Sequence, residues 1–240
     1  MIFQPLGRAE GYSGSMSPPS RVLVADDDAM VREAYRAFFG RQDEFELVGE
    51  ARNGSEAVEL YAELEPAIVL MDLQMPVTSG IDATREICGR WPGACVVVLT
   101  TFGVQEFVVA ALRAGASGYL LKDAGRAAIL EGIRQALAGD MPLSSGVRKE
   151  LVSTLLTSSR DPYKVKDPGL TPREMELLQW LAHGLTNQQI GGKMYLSEGS
   201  VKQYLSHIGA KLGVSSRTQI LIRSVQFNLV DPNKLPVHSS

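Results

Sequence analysis

The chain has 240 residues, 45% of them hydrophobic and 21% charged, and its net charge of −3 is unevenly spread: residues 20–139 carry 11 basic and 18 acidic side chains, residues 170–240 carry 7 and 4. No apolar run approaches the roughly 20 residues of a membrane span, and the first residues lack the basic-then-apolar pattern of a secretory signal, so a cytoplasmic protein with no membrane partner is expected. At roughly 150 residues per domain the length fits two modest domains, the acidic half suited to a cation or phosphoryl group and the basic half to a polyanion.

Residues 1–19 are rich in Gly, Ser and Pro and lack periodicity, so they read as a disordered tail, with Met16 as an alternative start. From Arg21 strands and amphipathic helices alternate: strand Arg21 to Ala25, helix from about Ala29 to Gly40, strand Glu46 to Ala51, helix Ser55 to Leu64 and strand Ala67 to Met71. Then come helix Ile81 to Arg90, strand Cys95 to Leu99, helix Val104 to Ala114, strand Ser117 to Leu121 and helix Ala124 to Ala138. Strict alternation implies a parallel sheet covered by helices on both faces. Five such units in about 120 residues have the size of a flavodoxin-like doubly wound α/β domain, expected over residues 20–139. Cys88 and Cys95 fall in this pattern without CxxC spacing and read as reduced structural thiols.

Residues 140–169 break the alternation with Pro142, Pro162 and Pro168 and read as a linker, in which Val147 to Leu156 could form one short helix. The remainder, residues 170–231, is helical in pattern. Thr171-Pro172-Arg173-Glu174 is a capping box with Pro at the first helical position. It opens a helix that ends near His183-Gly184. A second helix runs from about Asn187 to Met194 and a third from Glu198 to Leu212, capped by Ser197 and closed by Gly213. Ser215 can cap a fourth, from about Ser216 to Leu229. The short Tyr195-Leu196 turn joins the second and third into a helix-turn-helix, the third being the reading helix; residues 232–240 form a tail.

In a doubly wound sheet, ligands bind at the carboxyl ends of the strands. The strands here end at Asp26-Asp27-Asp28, at Asp72, at Thr100-Thr101 and at Lys122. Gathering Asp26, Asp27 and Asp72 costs about 4 kcal/mol per pair at 4 Å and an effective dielectric of 20, a repulsion that a hard divalent cation such as Mg²⁺ relieves. Asp72 could then attack phosphorus to form an aspartyl phosphate, with the Lys122 ammonium neutralising phosphoryl oxygens. Asp28 reads instead as a helix N-cap.

These residues, with Met71-Asp72-Leu73-Gln74-Met75-Pro76, Gly80 and Gly118-Tyr119-Leu120-Leu121-Lys122, make the segment from Arg21 to Ala138 resemble the receiver domain of two-component response regulators. The resemblance implies phosphorylation of Asp72 by a sensor histidine kinase. It further implies Mg²⁺ bound by Asp27, Asp72 and the Gln74 backbone carbonyl, with Asp26 acting through water, and Thr100 and Tyr119 as a switch pair. Thr101 stands where a smaller residue is common, which bears on access of water to the phosphate.

Leu170-Thr171-Pro172-Arg173-Glu174, Gly184, Asn187, Ile190, Ser197-Glu198, Val201-Lys202, Lys211-Leu212-Gly213-Val214 and Arg217-Thr218 resemble the LuxR-type helix-turn-helix, and the pairing with a receiver resembles the NarL class of response regulators. Gly191 departs from the usual Ala and Tyr204 from a common His. Consecutive Gly191-Gly192 weakens the second helix by up to about 2 kcal/mol relative to Ala. On the third helix Val201, Leu205, Ile208 and Leu212 share one face and are expected in the core. Lys202, Gln203 and Ser206 then face the major groove of double-stranded DNA, where Lys reads guanine and Gln adenine; Lys211 and Arg217 are expected on phosphates. The whole reads as a DNA-binding regulator, not an enzyme with an external substrate, which forms a homodimer when phosphorylated. The alternatives are a phosphorylation-independent regulator whose receiver only dimerises, and a phosphatase or phosphotransferase working through Asp72, which would need an insert over the strand ends that the short loops do not supply.

Overall fold

Largely apolar runs of four to seven residues between Asp, Asn and Gly turns form five parallel strands: β1 (Ser20–Ala25), β2 (Phe45–Ala51), β3 (Ile68–Asp72), β4 (Val96–Thr100) and β5 (Gly118–Leu121). The computed structural model describes residues 18–100, 105–143 and 168–230; Thr101 and the helix expected over 147–156 lie outside them. Strand order is β2-β1-β3-β4-β5, the doubly wound arrangement that the alternation predicts, and β1 and β3 meet at the switch point. Helices α1 (Ala29–Phe39), α2 (Gly54–Leu64), α3 (Gly80–Arg90), α4 (Gln105–Ala114) and α5 (Arg126–Leu137) alternate with the strands.

Strand β3 is buried along its whole length, as a central parallel strand with helices on both faces must be. Its Ile68 and Leu70 pack with Tyr35, Phe38 and Phe39 of α1 and Ile129 and Ile133 of α5, while Val69 and Met71 face Ala57, Val58 and Tyr61 of α2 and Ile87 of α3. Register places Ala25 beside Met71, Asp72 beside Leu99 and Thr100 beside Leu121. The polar residues that end these strands therefore share one edge. The loop after β3 folds back so closely that a Cβ at Gly80 would lie 1.8 Å from the Asp72 carbonyl oxygen, a position only glycine fills.

Among the described residues four further helices follow: α6 (Pro172–Ala182), α7 (Asn187–Met194), α8 (Glu198–Leu212) and α9 (Arg217–Gln226). The capping box at Thr171 forms as expected, and α7 carries a second, from Thr186 and Gln189. Tyr195, in the left-handed region at φ 57°, turns the chain from α7 into α8. The last helix is shorter than its periodicity predicts: the Ser216 hydroxyl, not Ser215, accepts from the Gln219 N–H, and the left-handed Asn228 at φ 51° follows its end.

The helical unit rests on the first. Helix α9 packs on α4, and one apolar cluster takes in Val108, Val109 and Leu112 of α4 with Leu177, Leu181, Ile220 and Leu221. Polar contacts complete the junction. The Asn187 N–H donates to Asp140 Oδ1 at 2.8 Å, and the Asn187 amide donates to the Ala138 carbonyl at 3.3 Å. The Thr218 hydroxyl donates to the Ser117 carbonyl at 3.4 Å. Among the described residues no helix is long and apolar enough to cross a membrane.

Candidate functional site

At the carboxyl edge of the sheet, Asp26 and Asp27 follow β1, Asp72 ends β3, Thr100 ends β4, and Lys122 follows β5. The Lys122 Nζ lies 2.6 Å from Asp26 Oδ2 and 3.2 Å from Asp72 Oδ2. Asp26 and Asp72 are buried, Asp27 is exposed, and one carboxylate oxygen from each lies within 4.8 Å of the others. An all-oxygen donor set of this size, with negative charge exceeding the single ammonium, fits a hard cation such as Mg²⁺. The Asp26 amide donates to Ala51 O at 3.0 Å, and the Asp28 amide to Asp26 Oδ1 at 3.1 Å. Asp28 Oδ1 in turn accepts from the Met30 amide at 2.8 Å, the N-cap expected of it.

The charges act on one another. Burial raises the Asp72 carboxyl above its ordinary range; Lys122 opposes this and the Asp26 charge adds to it. Burial alone would lower Lys122, but its hydrogen bond to Asp26 and the nearby Asp72 charge raise it, so the amine is held protonated. Burial and the same two aspartates push the Tyr35 phenol up to about 12. Thr100 and Tyr119 share a side-chain hydrogen bond, and Tyr119 is buried. Gln74 follows in the β3–α3 loop, its side chain exposed.

The sequence reading missed Arg32, whose Nη1 donates to the Asp26 and Asp27 carbonyls at 2.6 and 3.0 Å. A reading by strand ends cannot find it, because it sits one turn inside α1.

On α8, Val201, Leu205, Ile208 and Leu212 are buried as expected. Lys202, Gln203 and Ser206 are exposed on the opposite face, with Lys202 Nζ 3.0 Å from Glu198 Oε1. The two side chains expected on DNA phosphates make contacts within the chain. Lys211 Nζ pairs with the buried Glu174 at 2.7 Å and donates to the Gly169 carbonyl at 3.0 Å. Arg217, its side chain only 8% exposed, donates to Asn187 Oδ1 and the Leu185 carbonyl and lies 3.8 Å from Asp140. Buried acceptors thus engage both cations within the chain, because a buried carboxylate or carbonyl needs a partner.

Residues 22–134 match the family described as response regulator receiver domain, and residues 168–224 match bacterial regulatory proteins of the luxR family. The transcriptional regulatory protein LiaR of Bacillus subtilis (strain 168) is 39% identical over 88% of this chain and 99% of its own. The nitrate/nitrite response regulator protein NarL of Escherichia coli (strain K12) is 32% identical over 87% and 96%. Among solved structures, a LuxR-family two-component response regulator from Aurantimonas sp. SI85-9A1 is 35% identical with a TM-score of 0.53, covering 57% of this chain and 97% of that one.

Proposed function

Because the chain belongs to the two-component response regulators of the NarL class, DNA-binding transcription regulators that join a receiver to a LuxR-type domain, we propose that Asp72 accepts a phosphoryl group from a sensor histidine kinase and that the phosphorylated protein is the form that dimerises and binds DNA. The receiver spans residues 20–139, the linker 140–169 and the DNA-binding unit 170–231, and the protein works in the cytoplasm. An Asp72 carboxylate oxygen attacks phosphorus in line with the departing kinase histidine nitrogen; the new O–P bond forms as the N–P bond breaks, and the imidazole leaves neutral because its other ring nitrogen carries a proton. Asp27, Asp72 and the Gln74 carbonyl, with Asp26 through water, would hold Mg²⁺, which when bound would neutralise charge on the phosphoryl oxygens. Lys122, which bridges Asp26 and Asp72, turns to the new phosphate. The Thr100 hydroxyl exchanges its bond with Tyr119 for a phosphoryl oxygen, which frees Tyr119 to move and changes the face on which α4 packs.

The consequence for DNA follows from docking. A Cβ at Gly139 would lie 4.0 Å from Lys202 Cε and 3.7 Å from the Asn187 amide nitrogen, so the receiver's last residues abut the reading helix. Phosphate shifts the balance toward separated domains only through contacts that differ between the two states. Once separated, Lys202, Gln203 and Ser206 enter the major groove, and a two-fold dimer reads half-sites about one helical turn apart.

The observation that carries this reading is the Lys122 ammonium set between the Asp26 and Asp72 carboxylates in a three-aspartate pocket. Incubation with Mg²⁺ and a small phosphodonor is expected to add one acid-labile phosphate and to tighten DNA binding in a gel shift. Equal labelling of Asp72→Asn, or a shift indifferent to the phosphodonor, would sink the proposal.

A further inference from the structure

We propose that Arg32 is a positioning residue for the metal-binding carboxylates, and that Glu50 holds it in place. The inference rests on the reading of Asp26, Asp27 and Asp72 as a cation site. It concerns residues outside the donor set.

The loop carrying Asp26 and Asp27 is fixed from behind. Successive carbonyls of an extended strand point to opposite edges, yet those of Asp26 and Asp27 converge on one nitrogen, Arg32 Nη1, at 2.6 and 3.0 Å. That convergence requires the backbone to turn where β1 ends. The Asp26 N–H is held by the Ala51 carbonyl of β2. With N–H and carbonyl both tied, the turn directs the two carboxylates toward Asp72.

Asp27 depends on this most. Its side chain is exposed and, among the described residues, has no hydrogen bond or ion pair, so its backbone alone locates its carboxylate. A ligand placed by backbone geometry loses affinity as soon as that geometry loosens.

Arg32 is itself supported. Its side chain is 12% exposed, and its Nε lies 3.9 Å from Glu50 Oε2. Glu50 sits on β2 beside Val24 of β1 and is gripped by Arg36, whose Nε and Nη2 donate to its two oxygens at 2.8 Å each. A carboxylate clamped on a strand thus sets the height at which the guanidinium meets the loop. It also offsets the guanidinium's charge, which would otherwise repel a cation.

The two influences of Arg32 have opposite signs, and this makes the proposal testable. Removing a brace weakens metal binding; removing a repelling charge strengthens it. In the full chain, binding of Mn²⁺ is followed by the electron paramagnetic resonance of the free ion, with Mg²⁺ as competitor. Arg32→Met is expected to raise both dissociation constants about tenfold or more, within the range seen when outer partners of metal ligands are removed. Glu50→Gln should act in the same direction by less, and Arg32→Lys, which keeps the charge and one donor head, should fall between wild type and Arg32→Met. Melting at saturating Mn²⁺ accompanies each titration. Unchanged or lower constants for Arg32→Met overturn the proposal, as does a fall in melting temperature with no change in affinity. If Arg32→Met does not fold, an unchanged constant in both Arg32→Lys and Glu50→Gln overturns it equally. Asp27→Ala separates the two readings: if wild type and Asp27→Ala bind Mn²⁺ alike, the cation site itself is misplaced, whereas wild-type binding lost in Asp27→Ala and kept in Arg32→Met rejects only the role of Arg32.

Discussion

Asp72 is a carboxylate kept ready at a cost to the fold. It is buried beside Asp26, and burial first, then that neighbour, raises its pKa despite Lys122. The folded chain therefore holds the Asp72 proton to higher pH than the unfolded chain does, so stability falls as pH rises from the ordinary carboxylate value of about 4 through the raised one. Metal-free Asp72→Asn is expected to melt above wild type at pH 7, with the gap closing as pH drops below about 4. Thermal melts in a chelator across that range check it; a variant less stable at pH 7 would mean that the lost Lys122 pairing outweighs the relieved burial. The same economy explains Lys211, whose ammonium compensates a buried Glu174. Local sequence marks that lysine as a surface cation, and only folding brings Glu174, 37 residues earlier in the chain, to it.

Helix α7 is where element-level reasoning and structure part over glycine. Two successive glycines weaken a helix, yet they are not equivalent. A Cβ at Gly191 would lie 2.6 Å from the Leu196 carbonyl oxygen, where the chain turns into α8, whereas a Cβ at Gly192 meets nothing within 4 Å. Gly192→Ala is expected to stabilise the helical unit by about 1 kcal/mol, read as a higher denaturation midpoint in urea. Gly191→Ala should gain little or nothing, because the same propensity is spent against the Leu196 carbonyl. Equal gains at both positions would show that the turn yields freely.

At the scale of the whole molecule, the junction between the two units holds a compact arrangement. Asp140, just beyond α5, accepts from the Asn187 backbone N–H and lies beside the buried Arg217. Helix α9 seats on α4, next to the strand that carries Thr100. In the proposed function, packing of this kind is what would couple Asp72 to α8, through a shared surface. Asp140→Ala removes both polar ties and is expected to raise the radius of gyration in small-angle scattering and to tighten DNA binding without phosphodonor. The gain should reach up to about tenfold, equivalent to about 1.4 kcal/mol. Unchanged scattering and affinity would show that the apolar α4–α9 contact, with the Asn187–Ala138 and Thr218–Ser117 bonds, suffices to hold the units together.

Much of this was legible in the chain. Short apolar runs ending in Asp, Thr or Lys announce a parallel sheet with its chemistry at one edge, because period and strand ends are local properties. Caps at Asp28, Thr171 and Ser197 and the buried stripe of α8 are legible for the same reason. Tertiary structure alone decided what each cation faces: Arg32 behind the acidic loop, Lys211 on Glu174, Arg217 at the junction. Such pairings join residues distant in sequence, and desolvation, which sets their energy, exists only once the chain has folded around them.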